Sequence, residues 1–228
     1  MKILLTSAKS DTIHRISTGL TKSHTVTLSD RNHVSTDLQF IQSSLNHDAG
    51  TNALVRNQEV VIHSLDNDSK ASDSDILDAA MRCTYNLLFA SVEEKVPKFI
   101  YISSLTLMDA YNEKYIVSES WEPMPQTNPS ILRYHLAELV CREFSLEGNI
   151  DVIVLRFGEI VDQDHMLTQT KSALYVEDAI NAINMAIKTS RNELNNKRLF
   201  HIQSKIPNGQ YPTLSAENTL GYNPVKHI

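Results

Sequence analysis

Along the chain, short runs of branched apolar residues alternate with longer stretches in which apolar positions recur every three or four residues. The runs Lys2–Thr6, Thr25–Ser29, Glu59–Ser64, Lys98–Ser103 and Asp151–Phe157 carry Val, Ile or Leu at nearly consecutive positions, the pattern of strands covered on both faces. Between them, Ile13–Thr21, Ser74–Glu94 and Ser130–Glu147 read as helices. The second opens after Ser72 or Ser74 as a cap and stops before Pro97, and the third ends at Gly148. Further on, Val176–Thr189 repeats with helical spacing and Arg198–Gln203 predicts another strand. Strands alternating with helices predict an α/β fold with a doubly wound, mostly parallel sheet, whose functional loops lie at the carboxyl ends of its strands.

Length and composition narrow this picture. At 228 residues the chain fits one domain, and 41% hydrophobic with 21% charged residues is the balance of a compact globular protein. Residues 1–228 are therefore expected to form a single domain, with the Pro- and Asn-containing region 162–228 adding a small lobe on the substrate side. A net charge of -6 argues against a broad phosphate-binding surface, so nucleic acid is not an expected partner. The apolar run Ile3-Leu4-Leu5 ends at Thr6 and Ser7, too short for a signal core or a membrane span, which predicts a cytoplasmic protein without membrane attachment. Cys83 and Cys141 lack the paired spacing of a zinc or redox site and read as reduced thiols, with no metal expected.

The chemistry enters with three ordered segments. Glu-Val-Val-Ile-His-Ser (59–64), Cys-Thr-Tyr-Asn-Leu-Leu-Phe-Ala (83–90) and Lys-Phe-Ile-Tyr-Ile-Ser-Ser (98–104) are followed by Tyr134, Leu-Arg-Phe-Gly (155–158), Tyr-Val-Glu-Asp-Ala (175–179) and Leu-Gly-Tyr-Asn-Pro (220–224). In order and spacing this resembles the NAD-dependent epimerase/dehydratase family of extended short-chain dehydrogenases. The resemblance implies a Rossmann-like sheet binding NAD or NADP, with a Ser/Thr, a Tyr and a Lys moving a proton while nicotinamide moves hydride. Ser104, beside Ser103, corresponds to the serine, and Tyr134 to the tyrosine, on the helix after the Trp121–Pro129 loop.

The same resemblance exposes departures. Four residues after Tyr134, where the family has Lys, stands Glu138, either a helix-surface partner for Arg142 or, with His135, a replacement base. In the turn after the first strand, Ser7, Ser10 and Ile13 occupy the three glycine positions that let the backbone approach a pyrophosphate, and Asp11 adds negative charge beside Lys9. Asp30 stands at the end of the second strand, where an acidic residue accepts from the adenosine ribose, and Arg31 beside it leaves NADP open. Ser44-Leu45 replaces the Asp-Leu expected near adenine, Ser64 closes the next strand over the cofactor, and Asp162-Gln163 replaces Gly-Pro. Cofactor binding is expected to be weakened or lost. Two functions fit: a divergent NAD(P)-dependent oxidoreductase or epimerase acting on a small hydroxyl, carbonyl or sugar-type substrate, or an inactive relative serving as a binding module. In either case the family implies a homodimer, with Ser74–Glu94 and Ser130–Glu147 pairing across a two-fold axis.

Overall fold

The computed structural model describes residues 1–65, 71–161 and 171–226. The chain runs through β1 (Lys2–Leu5), α1 (Asp11–Leu20), β2 (Thr25–Asp30), β3 (Gln39–Gln42), α2 (Ala49–Val55), β4 (Val60–Ser64), α3 (Asp73–Glu93), β5 (Lys98–Ser104) and a 3-10 turn (Leu105–Met108). It continues through α4 (Pro129–Glu147), β6 (Asp151–Phe157), β7 (Glu159–Val161), β8 (Ala173–Tyr175), α5 (Val176–Lys188), β9 (Leu199–Ile202) and α6 (Leu214–Leu220). Seven strands form one wholly parallel sheet in the order β3-β2-β1-β4-β5-β6-β9, and β7 pairs with β8 beside it. This is the doubly wound Rossmann-like α/β fold that the alternation predicts.

The strands are apolar on both faces because both faces are covered. Ile3, Leu5, Val60, Ile62, Ile100, Ile102, Ile153 and Leu155 lie under α1 and α5. The alternate residues Leu4, Val61, Phe99, Tyr101, Val152 and Val154 lie under α2, α3 and α4. Helix starts follow local chemistry. Ser72 caps α3 in a reciprocal box with Asp75, while Asn128 accepts from the Ser130 amide and Pro129 opens α4. Gly148 closes α4 in the left-handed region at φ 76°. In-register pairing of β1 with β4, β4 with β5 and β5 with β6 brings Leu5, Ser64, Ser104 and Phe157 to one edge of the sheet.

One connection departs from the usual hand. Moving across the sheet from β4 to β5 to β6, the chain crosses on the face of α3 and α4. From β6 to β9 it moves the same way, but α5 lies on the opposite face with α1. That crossover has the opposite hand, against the rule followed by about 98% of such units. Close packing sustains it, since a Cβ on Gly19 of α1 would lie 2.3 Å from Ile180 Cδ1 of α5. Lys98 adds a cationic cap, its Nζ donating to the carbonyls of Ala186 and Ile187 (2.8 and 3.1 Å) and of Thr189 at the end of α5.

Asp178 ties down the C-terminal segment. It is fully buried on α5, accepting from the Val225 amide at Oδ1 (2.9 Å) and from Ser204 Oγ (2.6 Å) and the Lys226 amide (3.3 Å) at Oδ2. Replacing it strands these donors. Asp178→Ala is expected to lower stability by about 3 kcal/mol. Denaturant titration reads that loss, and limited proteolysis should clip the last residues of the variant before those of the wild type.

Candidate functional site

Two adjoining cavities lie where the strands end. The first, about 70 Å³, is lined by Thr6, Ser7, Asp30, Arg31, Ser44, Leu45, His63, Ser64 and Cys83, among others. The second, about 330 Å³, is lined by Lys9, Ser10, Thr12, Ile13, Ser103, Ser104, Arg133, Tyr134, Phe157 and Gly158. Ser64 and Leu65 line both, so they form one cleft across the ends of β1, β2, β4, β5 and β6. Every residue proposed from the sequence for cofactor binding faces this cleft: Ser7, Asp30, Arg31, Ser44, Leu45 and Ser64 at the narrow end, Ser10 at the wide end. Ser104 and Tyr134 meet at the wide end. Glu138 does not line it.

The turn after β1 keeps its shape without glycine. Ser7 holds φ at 59°, in the left-handed region, and donates from Oγ to the Ser64 carbonyl at 2.6 Å, so its hydroxyl is turned onto β4. Asp30 holds this turn from the other side, Oδ2 accepting from the Lys9 amide at 3.0 Å and Oδ1 from the Asn32 amide at 2.9 Å. Ser10 is the N-cap of α1 but makes no side-chain capping bond, and it lines the cavity with Thr12 and Ile13. Ile13, at the third glycine position, also packs into the core against the sheet.

Below the narrow end runs a buried polar chain. His63 shares hydrogen bonds with Thr6 Oγ1 at Nδ1 (2.8 Å) and Thr84 Oγ1 at Nε2 (3.1 Å), and burial pushes its pKa down to about 3. Ser29 Oγ, also buried, faces this cavity without a hydrogen-bond partner among the described residues. Burial raises the Cys83 thiol above its ordinary range, so it is a protonated wall of the pocket.

At the wide end, Ser104 Oγ accepts from the Thr106 amide at 3.2 Å and lies 2.8 Å from Thr106 Oγ1. Arg133 donates from Nε to the Ser130 carbonyl and from Nη2 to Tyr134 Oη, both at 3.0 Å, with its guanidinium carbon 4.7 Å from the centre of the Tyr134 ring. Arginine only donates, so the phenol oxygen accepts from Arg133 and its own hydrogen is free to point elsewhere.

Glu138 is neither on the helix surface with Arg142 nor a base facing the cleft. It belongs to the stripe Ala137, Cys141 and Phe144 that α4 presses onto the sheet. There it accepts from Arg156 Nε (2.8 Å) and Nη2 (2.7 Å) of β6 and from Ser103 Oγ (2.6 Å) of β5. A carboxylate in an apolar stripe needs a buried cation, and Arg156 inside the run Val-Ile-Val-Leu-Arg-Phe was the sequence signal for it. His135 does not reach the cleft either: it lines a separate cavity of about 610 Å³, whose wall also includes Glu138, Arg142 and Arg156. Sequence reasoning missed Arg133 and the Thr6–His63–Thr84 chain, because neither has a spacing signature. Asp162-Gln163 lies outside the described residues.

The family model described as NAD dependent epimerase/dehydratase family matches residues 4–162. The chain belongs to that family. Among solved structures, this epimerase/dehydratase family member is similar to a mutated uronate dehydrogenase (TM-score 0.83, 19% identity), over 99% of this chain and 82% of that one. It is also similar to a glucuronic acid dehydrogenase from Chromohalobacter salexigens (0.82, 19%, over 99% and 85%). A UDP-glucuronic acid 4-epimerase from Bacillus cereus in complex with NAD gives 0.79 and 18%, over 99% and 94%. At these identities the likeness shows the fold. No curated protein matches the chain. Among the described residues there is no cluster of three metal-ligating side chains and no helix long and apolar enough to cross a membrane.

Two outcomes follow. Glu138→Lys, which writes the family's lysine into the position it was expected to hold, would set an ammonium against Arg156; it should destabilise the fold by about 3–5 kcal/mol, read as a collapse in melting temperature. Acid should also destabilise the protein. Burial, and for His201 also the nearby Arg156 charge, holds both His63 and His201 at about 3, against an ordinary 6.5. Between pH 6.5 and about 3 the unfolded chain therefore binds protons that the folded chain refuses, so stability falls as pH drops through that window and is retained above it. Melting curves from pH 7.5 to 5 should show the decline, with a shallower slope in His63→Gln.

Proposed function

We propose that the protein is an NAD(P)-dependent oxidoreductase or epimerase acting on a sugar-type substrate. The observation that carries this reading is the convergence of Ser104, Tyr134, Ser64 and the start of α1 on one cavity at the strand ends. Asp30, Arg31, Ser44 and Leu45 would hold the adenosine end, and Lys9, Ser10 and the first amides of α1 the pyrophosphate. The fit is good at the wide end, where α1 begins without a capping side chain. It is tight at the narrow end, whose 70 Å³ must open as Ser44 and Cys83 move apart.

A bound nicotinamide dinucleotide supplies the hydride chemistry. This chain's part is to orient the substrate and move a proton. With Arg133 donating to its oxygen, Tyr134 offers its hydrogen to a substrate oxygen, and Ser104, backed by Thr106, offers a second hydrogen bond to the same group. The named activities of the similar structures, on uronate, glucuronic acid and UDP-glucuronic acid, support a sugar-type substrate.

The alternative, a non-catalytic binding module, is favoured by the narrow adenosine end and by Glu138, locked into the sheet where a lysine was expected. Titration with NAD, NADH, NADP and NADPH separates them. The oxidoreductase reading expects a rise in melting temperature, since a ligand at ten times its Kd adds about 1.4 kcal/mol. It also expects turnover that falls at least about a hundredfold in Tyr134→Phe. No response to any dinucleotide at millimolar concentration sinks it.

We also infer a homodimer through α3 and α4, where Met81, Tyr85, Leu139 and Leu146 stand exposed. Light scattering should give about twice the chain mass of 25.7 kDa.

A further inference from the structure

The cavity of about 610 Å³ beside α4 is larger than either part of the cleft and shares no residue with it. Its floor is Val152 and Val154 of β6 with Leu199 of β9, which pairs in register with Val154. Its wall is one flank of α4, where Leu139, Arg142 and Leu146 recur every three or four residues. The other flank of α4 is turned to α3, as the contact of the Phe144 ring with Tyr85 shows. The reversed crossover accounts for the space: α5 returns over the opposite face of the sheet, so α4 is the only helix that lines this end of it.

A volume of this size with an apolar floor and a few polar groups suits a small organic molecule. The charges in the wall narrow its class. Three arginines, Arg142, Arg156 and Arg198, meet two acids, Glu122 and Glu138, an excess of positive charge in a chain of net charge -6. Arg156 and Glu138 neutralise each other through two hydrogen bonds. Arg198 is engaged as well, its Nη1 donating to the Lys197 carbonyl at 2.9 Å and its Nε lying 3.9 Å from Asp151. The Arg142 guanidinium makes no hydrogen bond or ion pair with the described residues, Glu122 included. An unengaged cation over an apolar floor is matched by a ligand with one anionic head and an apolar body.

We propose that this cavity is a second binding site, separate from the cleft, for an amphipathic monocarboxylate. The apolar chain of the acid lies over Val152, Val154 and Leu199, and its carboxylate pairs with Arg142, with the Arg198 charge alongside. The site is independent of the oxidoreductase reading. It does not depend on the dimer either, since its floor is sheet and only Leu139 and Leu146 of its wall are shared with the face inferred to pair.

The test uses the full chain as wild type, Arg142→Gln, Arg142→Glu and Ser145→Trp, the last placing an indole in the cavity from a half-buried wall position. Folding is checked by circular dichroism. Decanoate, decanol and decyltrimethylammonium, each below the concentration at which it forms micelles, are titrated calorimetrically with and without NAD. Wild type is expected to bind decanoate saturably and about tenfold more tightly than decanol, with decyltrimethylammonium weaker still. Arg142→Gln should bring decanoate down to the level of decanol, Arg142→Glu should weaken it further, and Ser145→Trp should block both. NAD should leave decanoate affinity within about twofold, because the two sites share no residue. In crystals soaked with 10-bromodecanoate, the bromine peak should fall between α4 and the floor of β6 and β9.

Decanol or decyltrimethylammonium binding as tightly as decanoate overturns the proposal, as does decanoate uptake that never saturates. Decanoate affinity unchanged in the Arg142 variants removes the carboxylate from Arg142 and overturns it too. Displacement of decanoate by NAD, or a bromine peak in the cleft, puts the acid in the wrong site. If Ser145→Trp does not fold, the exposed Arg142 variants and the bromine position decide. A chain that binds decanoate but no dinucleotide counts against the oxidoreductase reading alone.

Discussion

The arrangement of the cleft depends on one buried ion pair. Glu138 and Arg156 lie beneath α4, each almost wholly out of water, and Ser103 completes the hydrogen bonding of the carboxylate. Two charges taken out of water must be matched closely or the helix lifts, so the pair fixes where α4 sits over β5 and β6. Tyr134 is one helical turn from Glu138, and Ser104 is the residue after Ser103. The contact that closes the core on one side therefore sets, on the other, the separation between the Ser104 and Tyr134 hydroxyls at the wide end of the cleft.

The same contact explains what the sequence did and did not reveal. Six of the seven strands were legible because each is a run that must hide two faces, which leaves an apolar signature; Asp151–Phe157 is read end to end. β3 escaped because Gln-Phe-Ile-Gln is a short edge strand with mostly exposed side chains. α2 and α6 escaped because seven residues hold barely two turns of periodicity. The residues lining the cleft were legible because they lie at a strand end or in the loop that follows one, where position alone dictates exposure to the cleft. Spacing alone misplaces Glu138: four residues after Tyr134 it stands at a motif position, but its place on an apolar stripe demands a buried partner, and Arg156 supplies it. Arg133 was invisible, since an arginine on a helix is ordinarily solvated and nothing local distinguishes one stacked on its neighbour.

The departures in the turn after β1 change its mechanics more than its path. Ser7 keeps the left-handed backbone that a glycine would adopt freely, with its hydroxyl bonded to β4 and Asp30 bracing the turn from β2. The result is a preformed but narrow groove. The narrow end holds about 70 Å³ and the wide end about 330 Å³, so a bulky ligand must widen the first but not the second.

The reversed crossover has a consequence for how the chain reaches its native state. One whole face of the sheet, with Ile3, Leu5, Val60, Ile62, Ile100 and Ile153, is roofed partly by α1 and partly by α5, which ends only at Lys188. During synthesis from the N-terminus, four-fifths of the protein must emerge before that roof can close. Until then an apolar surface is exposed beside an unpaired β6 edge, the kind of surface that chaperones bind and that aggregates at high concentration. The Gly19–Ile180 seam is the step that ends this exposure, which makes the last third of the chain decisive for the soluble yield of the whole.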